Sequence, residues 1–210
     1  MAALIDLADL VLMEVPGCPD NIALLHTRLA CEEFYRRSMV KRSTLADITT
    51  VADTAEYALT LPTGYVADKA IHVWLDDLEI TPIGMDDRDG INSNWKAETG
   101  EPSYYYLPDT SNIGMFLTPD GVYTVSVEVI LKPKSDATSI DDWVYETYRE
   151  GIAAGAKAKL MAMPGKPWSN PELVAYNKDV FASIINAATF AANSNHGRAQ
   201  KRTRPVFGLR

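Results

Sequence analysis

The sequence predicts an α+β fold: a discontinuous helical bundle of two N-terminal and two C-terminal helices, an inserted, mainly antiparallel β unit, and an extended C-terminal arm. Three observations predict it. Apolar residues recur at helical spacing near both ends, the period drops to two between Thr44 and Pro133, and the last fifteen residues are an irregular basic segment with no place in a core. The division that follows assigns 1–43 and 137–195 to the bundle, 44–136 to the β domain and 196–210 to the arm.

The first helix is read from "AALIDLADLVLME", with Leu4, Leu7, Val11 and Leu12 on its apolar side, and Pro16-Gly17 ends it. Asp20 is expected to cap a second helix by offering its carboxylate to unpaired backbone N–H groups. Ile22, Leu25 and Leu29 follow at helical spacing, with Arg28, Glu32, Arg36 and Arg37 on the polar face, and the helix is expected to fade between Met39 and Ser43.

The β unit begins with "AEYALTLP", which sets Tyr57, Leu59 and Leu61 on one side. "AIHVWLDDLEI" places Ile71, Val73 and Leu75 on one face, offers Asp76-Asp77 as a turn, and resumes with Leu78 and Ile80. "SYYYL", "NIGMFL" and "VYTVSVEVIL" read as three further strands, separated by Pro108-Asp109 and by the turn residues Thr118 to Gly121. Alternation is cleanest in the last, where Val125, Val127 and Val129 oppose Thr124, Ser126 and Glu128.

Helix returns at "DDWVYETYREGIAAGAKAKLMAM", where Asp141 and Asp142 suit the positive end of the helix dipole. Val144, Tyr148, Ile152, Ala156 and Leu160 form an i, i+4 ridge. Gly151 and Gly155 interrupt the alanines at a cost of about 1 kcal/mol each in a helix, so the close approach of a neighbouring helix is expected there. "PGKPW" breaks the chain, Asn170 and Pro171 read as a cap and first-turn pair, and Leu173, Tyr176, Val180 and Ile184 trace the last helix to Asn193. A lone helix pair leaves much apolar surface exposed, so the two pairs are expected to pack as one bundle.

Composition narrows the function. The 210 residues are 47% hydrophobic and 23% charged, ordinary for a globular protein, and no apolar run is long enough to span a bilayer. The N-terminus lacks a positive n-region and carries Asp6, Asp9 and Glu14 within its apolar stretch, which argues against a signal peptide and points to synthesis in the cytosol. Cys18 and Cys31, with His26 between them, match no common zinc spacing, so neither a metal nor another cofactor is expected. Asp141, Asp142, Glu146 and Glu150 crowd one helix but read as a solvated, dipole-favoured face among Lys and Arg, and no nucleophile, zinc or phosphate-loop motif is present. No catalytic residue is assigned. Asp86, Asp87 and Asp89 faintly resemble a calcium loop, with Glu98 at the twelfth position, and read better as an acidic surface loop.

Two stretches stand out. Tyr104, Tyr105 and Tyr106 alternate across a strand, and tyrosine suits both an interface and a half-buried sandwich strand. The arm, "HGRAQKRTRPVFGLR", holds Arg198, Lys201, Arg202, Arg204 and Arg210 and no acid. Without those five the chain keeps 15 Lys+Arg against 28 Asp+Glu, a body of −13. So acidic a body fits general nucleic-acid binding poorly. A solubility tail would not need Val206, Phe207 and Leu209; a docking arm, steered by charge and anchored by apolar residues, explains both features.

Residues Gly100 to Lys134 resemble the head-to-tail adaptor (connector) proteins of tailed bacteriophages. The likeness lies in a G-x-P-x-x-Y-like segment, a strand, a turn supplied by Thr118-Pro119-Asp120-Gly121 and a long strand ending in Lys132-Pro133. A helix opening with Trp143 and alanine-rich last helices extend it over Ile71 to Ala192. The resemblance implies a structural virion protein of the neck, assembled in the host cytoplasm as a ring of twelve copies under the portal. It implies passage of double-stranded DNA without sequence-specific contact and a platform for the next tail or nozzle protein. The arm residues Arg198, Lys201, Arg202, Arg204, Val206, Phe207, Leu209 and Arg210 would bind the portal protein. Tyr104, Tyr105 and Tyr106 would serve a subunit or tail interface, and Asp86, Asp87 and Asp89 the channel lumen or a surface loop. The alternative is a nucleic-acid-binding packaging or assembly accessory acting through the same basic tail.

Overall fold

The computed structural model describes residues 1–84, 86–92, 94–95 and 98–194, the side chain of Asp89 excepted. The fold is α+β. Among the described residues the helices are α1 (Leu4–Leu12), α2 (Asp20–Ser38), the single turn α3 (Arg88–Ile91), α4 (Asp142–Met161) and α5 (Pro171–Asn193). The strands are β1 (Ala2–Ala3), β2 (Arg42–Thr44), β3 (Ile48–Thr49), β4 (Glu56–Ala58), β5 (Tyr65–Leu75), β6 (Leu78–Pro82), β7 (Tyr104–Tyr106), β8 (Asn112–Phe116), β9 (Thr124–Pro133) and β10 (Ser139–Ile140).

The long antiparallel pair β5 and β9 is the spine of the main sheet, whose order is β2-β9-β5-β6-β7-β8-β4, with β3 also on β9. Val125, Val127 and Val129 are fully buried, as their alternation predicts. β5 starts at Tyr65, well before the expected Ala70, because register shifts near Asp68 and Ile71 break the alternation that marks a strand in sequence. The Asp76-Asp77 turn has both residues at positive φ (45° and 68°), the mirror-image turn that matches strand twist, and aspartate tolerates that region. Among the described strands β6 pairs with β7 in parallel and the other strand pairings are antiparallel; a further parallel bridge joins Thr99 and Thr118.

α2 stops at Ser38 because Met39 takes a left-handed conformation (φ 52°) and donates its N–H to the Tyr35 carbonyl at 3.0 Å. Two capping expectations are corrected. Pro19 is the N-cap of α2, and Asp20, the first helical residue, makes no side-chain cap; its charge still favours the helix end. Asn170 precedes Pro171 as expected, yet its side chain does not cap α5 and its N–H donates instead to the Met161 carbonyl at 3.1 Å.

α4 is the central helix, packed against α1, α2 and α5, while α2 also meets α1, α5 and β9. Both glycines of α4 lie under α5: a Cβ on Gly151 would stand 2.5 Å from Ile184, and one on Gly155 2.9 Å from Phe181. One buried apolar cluster runs from Leu7 and Val11 of α1 through Phe34, Ile152 and Phe181 to Val127 and Leu131 of the sheet. Cys31 lies within it as a fully buried apolar residue, its thiol pushed far up by burial.

Candidate assembly surfaces

At the start of α4, the Asp141 carboxylate accepts hydrogen bonds from Tyr65 (2.7 Å) and Tyr35 (3.3 Å) and pairs with Lys41 at 2.7 Å. The Lys41 ammonium lies 4.7 Å from the Tyr65 ring centroid. Burial first, then the neighbouring hydroxyl and Asp141, raises the Tyr35 hydroxyl; burial and the bond to Asp141 raise that of Tyr65. Asp141 is thus a correction to the expected solvated acidic face: it ties α2, β5 and α4 together. Asp142, which pairs with the N-terminal ammonium, and Glu146 and Glu150 are exposed. Of these acids Glu150 alone lines the groove beside Tyr176, and no group of three metal-ligating side chains occurs among the described residues. Glu98 accepts a hydrogen bond from the Asn92 side chain at 2.7 Å.

The three tyrosines do not share one environment. Tyr105 enters the main core, while Tyr106 joins Ile83 and Phe116 in a second cluster on the other face, which Tyr104 borders half-buried. Tyr106 fits because Gly114 faces it on β8: a side chain on Gly114 would occupy the tyrosine ring. The Arg88 guanidinium covers that ring 3.6 Å from its centroid, and its hydroxyl donates to Glu56 at 3.2 Å. Asp86 and Asp87 are exposed just before α3.

A more acidic surface forms where the turns meet at one end of the sheet. Thr50 is buried there; its hydroxyl donates to the Gly121 carbonyl (3.0 Å) and accepts from the Tyr123 N–H (2.7 Å), and the Asp53 N–H donates to the Pro119 carbonyl (3.0 Å). Asp76 accepts the Thr124 N–H at 2.7 Å. The Tyr123 hydroxyl donates to Asp120 at 2.6 Å and is pushed up to about 12, first by that bond, with Glu101 and Asp76 adding their charge. Val51, Leu78 and Val122 are each at least 60% exposed on this end. From sequence, Asp76-Asp77 and Thr118 to Gly121 read as turns, Leu78, Val122 and Tyr123 as strand residues, and Thr50, Val51 and Asp53 carry no assignment, because four separate segments supply this surface.

The arm residues Arg198, Lys201, Arg202, Arg204, Val206, Phe207, Leu209 and Arg210 lie outside the described residues. The chain leading to them is anchored where the Arg42 guanidinium donates to the Asn193 side chain at 2.7 Å. Arg42 pairs with Ile130 on β9, whereas the acidic turns flank Thr124, about 20 Å away along the strand at 3.4 Å per residue. Asn193, where the described chain approaches the basic segment, and the acidic end are therefore separated along the molecule.

Residues 2–205 match the family model of the SU10 adaptor protein. No curated protein matches the chain.

Proposed function

Because the chain belongs to the SU10 adaptor protein family, a family of phage structural adaptors, we propose that it is a ring-forming subunit of the virion neck, docked under the portal and serving as the platform for the tail. Family membership over nearly the whole chain is the observation that carries this reading. The separation of charge supports it: a basic arm with apolar anchors leaves near Asn193, and an acidic, partly apolar end lies farther along β9. In this reading twelve copies close about one axis by repeating a single heterologous contact. The arm, residues 196–210, grips the portal, and many weak arms together make a durable joint. The −13 body suits a DNA conduit, since like charge keeps the passing duplex from adhering.

The test is deletion of residues 196–210 followed by co-sedimentation with portal rings. The truncated protein should fold and fail to bind. Undiminished co-sedimentation would contradict the docking role, and a salt-dependent DNA gel shift lost with the same deletion would favour a nucleic-acid accessory instead.

A further inference from the structure

On α2, Leu25 and Leu29 are 48% and 42% exposed, one turn apart, with half-buried Ile22 in line with them. On α5, Leu173, Tyr176, Val180, Ser183 and Ala187 recur at alternating three- and four-residue steps, the spacing of a helix seam, and Leu173 and Tyr176 are 41% and 65% exposed. The groove between α2 and α5, lined by Glu33 and Arg37 on one side and Lys178 and Ala182 on the other, separates the two stripes, so they are distinct patches.

The patches differ in shape and charge. Leu25 and Leu29 stand exposed on α2. The α5 stripe instead borders a 320 Å³ groove lined by Leu10 and Met13 of the α1 end, Ala154 of α4, and Tyr176 and Val180. Arg28 lies beside the α2 leucines and Arg36 two turns farther along that face, with Glu32, which pairs with Lys132, between them. Glu150 lines the α5-side groove, where Lys157 pairs with Glu14, and Glu172 and Asp179 edge the α5 stripe, Asp179 on the side of the α2–α5 groove. Arg28, Arg36, Glu150, Glu172 and Asp179 themselves take part in no ion pair among the described residues. The two arginines are about 12 Å apart along their helix and the two α5 acids about 10 Å along theirs, a matched spacing.

We infer that the occupant of this groove is a second copy of the chain: Leu25 and Leu29 of one subunit seat between Met13 and Tyr176 of the next, with Arg28 and Arg36 facing Glu150, Glu172 and Asp179. A projection on one face and a recess on another make a head-to-tail contact that repeats around an axis. The inference rests on the ring-forming reading and names the faces that join.

The test uses the full chain with two exposed-face variants, Leu25→Glu with Leu29→Glu, and Met13→Glu with Tyr176→Glu, each checked for an unchanged melting temperature. Sedimentation velocity should show rings for the unaltered chain and monomers for each variant alone. An equimolar mixture of the two should stop at a dimer, since only one competent projection and one competent groove remain. Rings from both variants, or a folded mixture that stays monomeric, would overturn the assignment. Absence of any ring from the unaltered chain would instead overturn the ring-forming reading on which it rests.

Discussion

Gly151 lies directly beneath Ile184: a Cβ at residue 151 would stand 2.5 Å from the isoleucine Cγ2. The glycine that weakens α4 locally is therefore what lets α5 settle on it.

Gly151→Ala should for this reason destabilise the protein, against the usual gain of about 1 kcal/mol for alanine in a helix. Overpacking against a β-branched neighbour costs about 1–3 kcal/mol, so a net loss of about 1 kcal/mol is expected. Urea denaturation measures it, and a stabilised variant would show that α5 is free to move away.

Asp141→Asn should cost about 2–3 kcal/mol, since Lys41 loses its counter-charge in a mostly buried place and two tyrosines lose a charged acceptor. Chemical denaturation at neutral pH checks it.

The same site should make the protein alkali-sensitive. Tyr35 and Tyr65 are held protonated above the usual tyrosine range in the folded state. Above about pH 10 the unfolded chain gives up these protons first. Their contribution is therefore complete below that pH and declines as pH rises, by about 1.4 kcal/mol per unit for each tyrosine. Tyr35→Phe should flatten the decline in denaturation series between about pH 9 and pH 11.

At the acidic end, Asp120→Asn should bring the Tyr123 hydroxyl down from about 12 towards the ordinary value. Ring-labelled tyrosine NMR titration reads this directly. An unmoved Tyr123 would mean that the Asp120 bond is not what holds its proton.

In the arm, Phe207→Ala with Leu209→Ala should weaken portal binding by at least about tenfold while leaving its salt dependence intact, because each buried side chain contributes about 1.5–3 kcal/mol. Surface plasmon resonance on immobilised portal, at two ionic strengths, separates the apolar anchors from the charges.

What could be read from sequence was local. Asp76-Asp77 declares a turn because aspartate is one of the few side chains that accept positive φ, and Gly151 and Gly155 declare a close neighbour because glycine is otherwise unfavourable in a helix. Contacts assembled from distant segments left no such mark. Asp141 meets Tyr35, Lys41 and Tyr65, none near it in sequence. Ala2–Ala3 pairs with Ser139–Ile140, far along the chain, and two residues are too few to show a period. β7 lies parallel beside β6 after a long connection, which no hairpin signal announces. Among the proposed interface tyrosines, burial of Tyr106 depends on Gly114 and Arg88, whose roles appear only in three dimensions.

Electron cryomicroscopy of the purified chain mixed with its portal rings tests the central claim most directly. A twelve-membered ring stacked coaxially under the portal, with residues 196–210 of each subunit lying on the portal surface, is the predicted result. Bare portals beside unassembled subunits would contradict it.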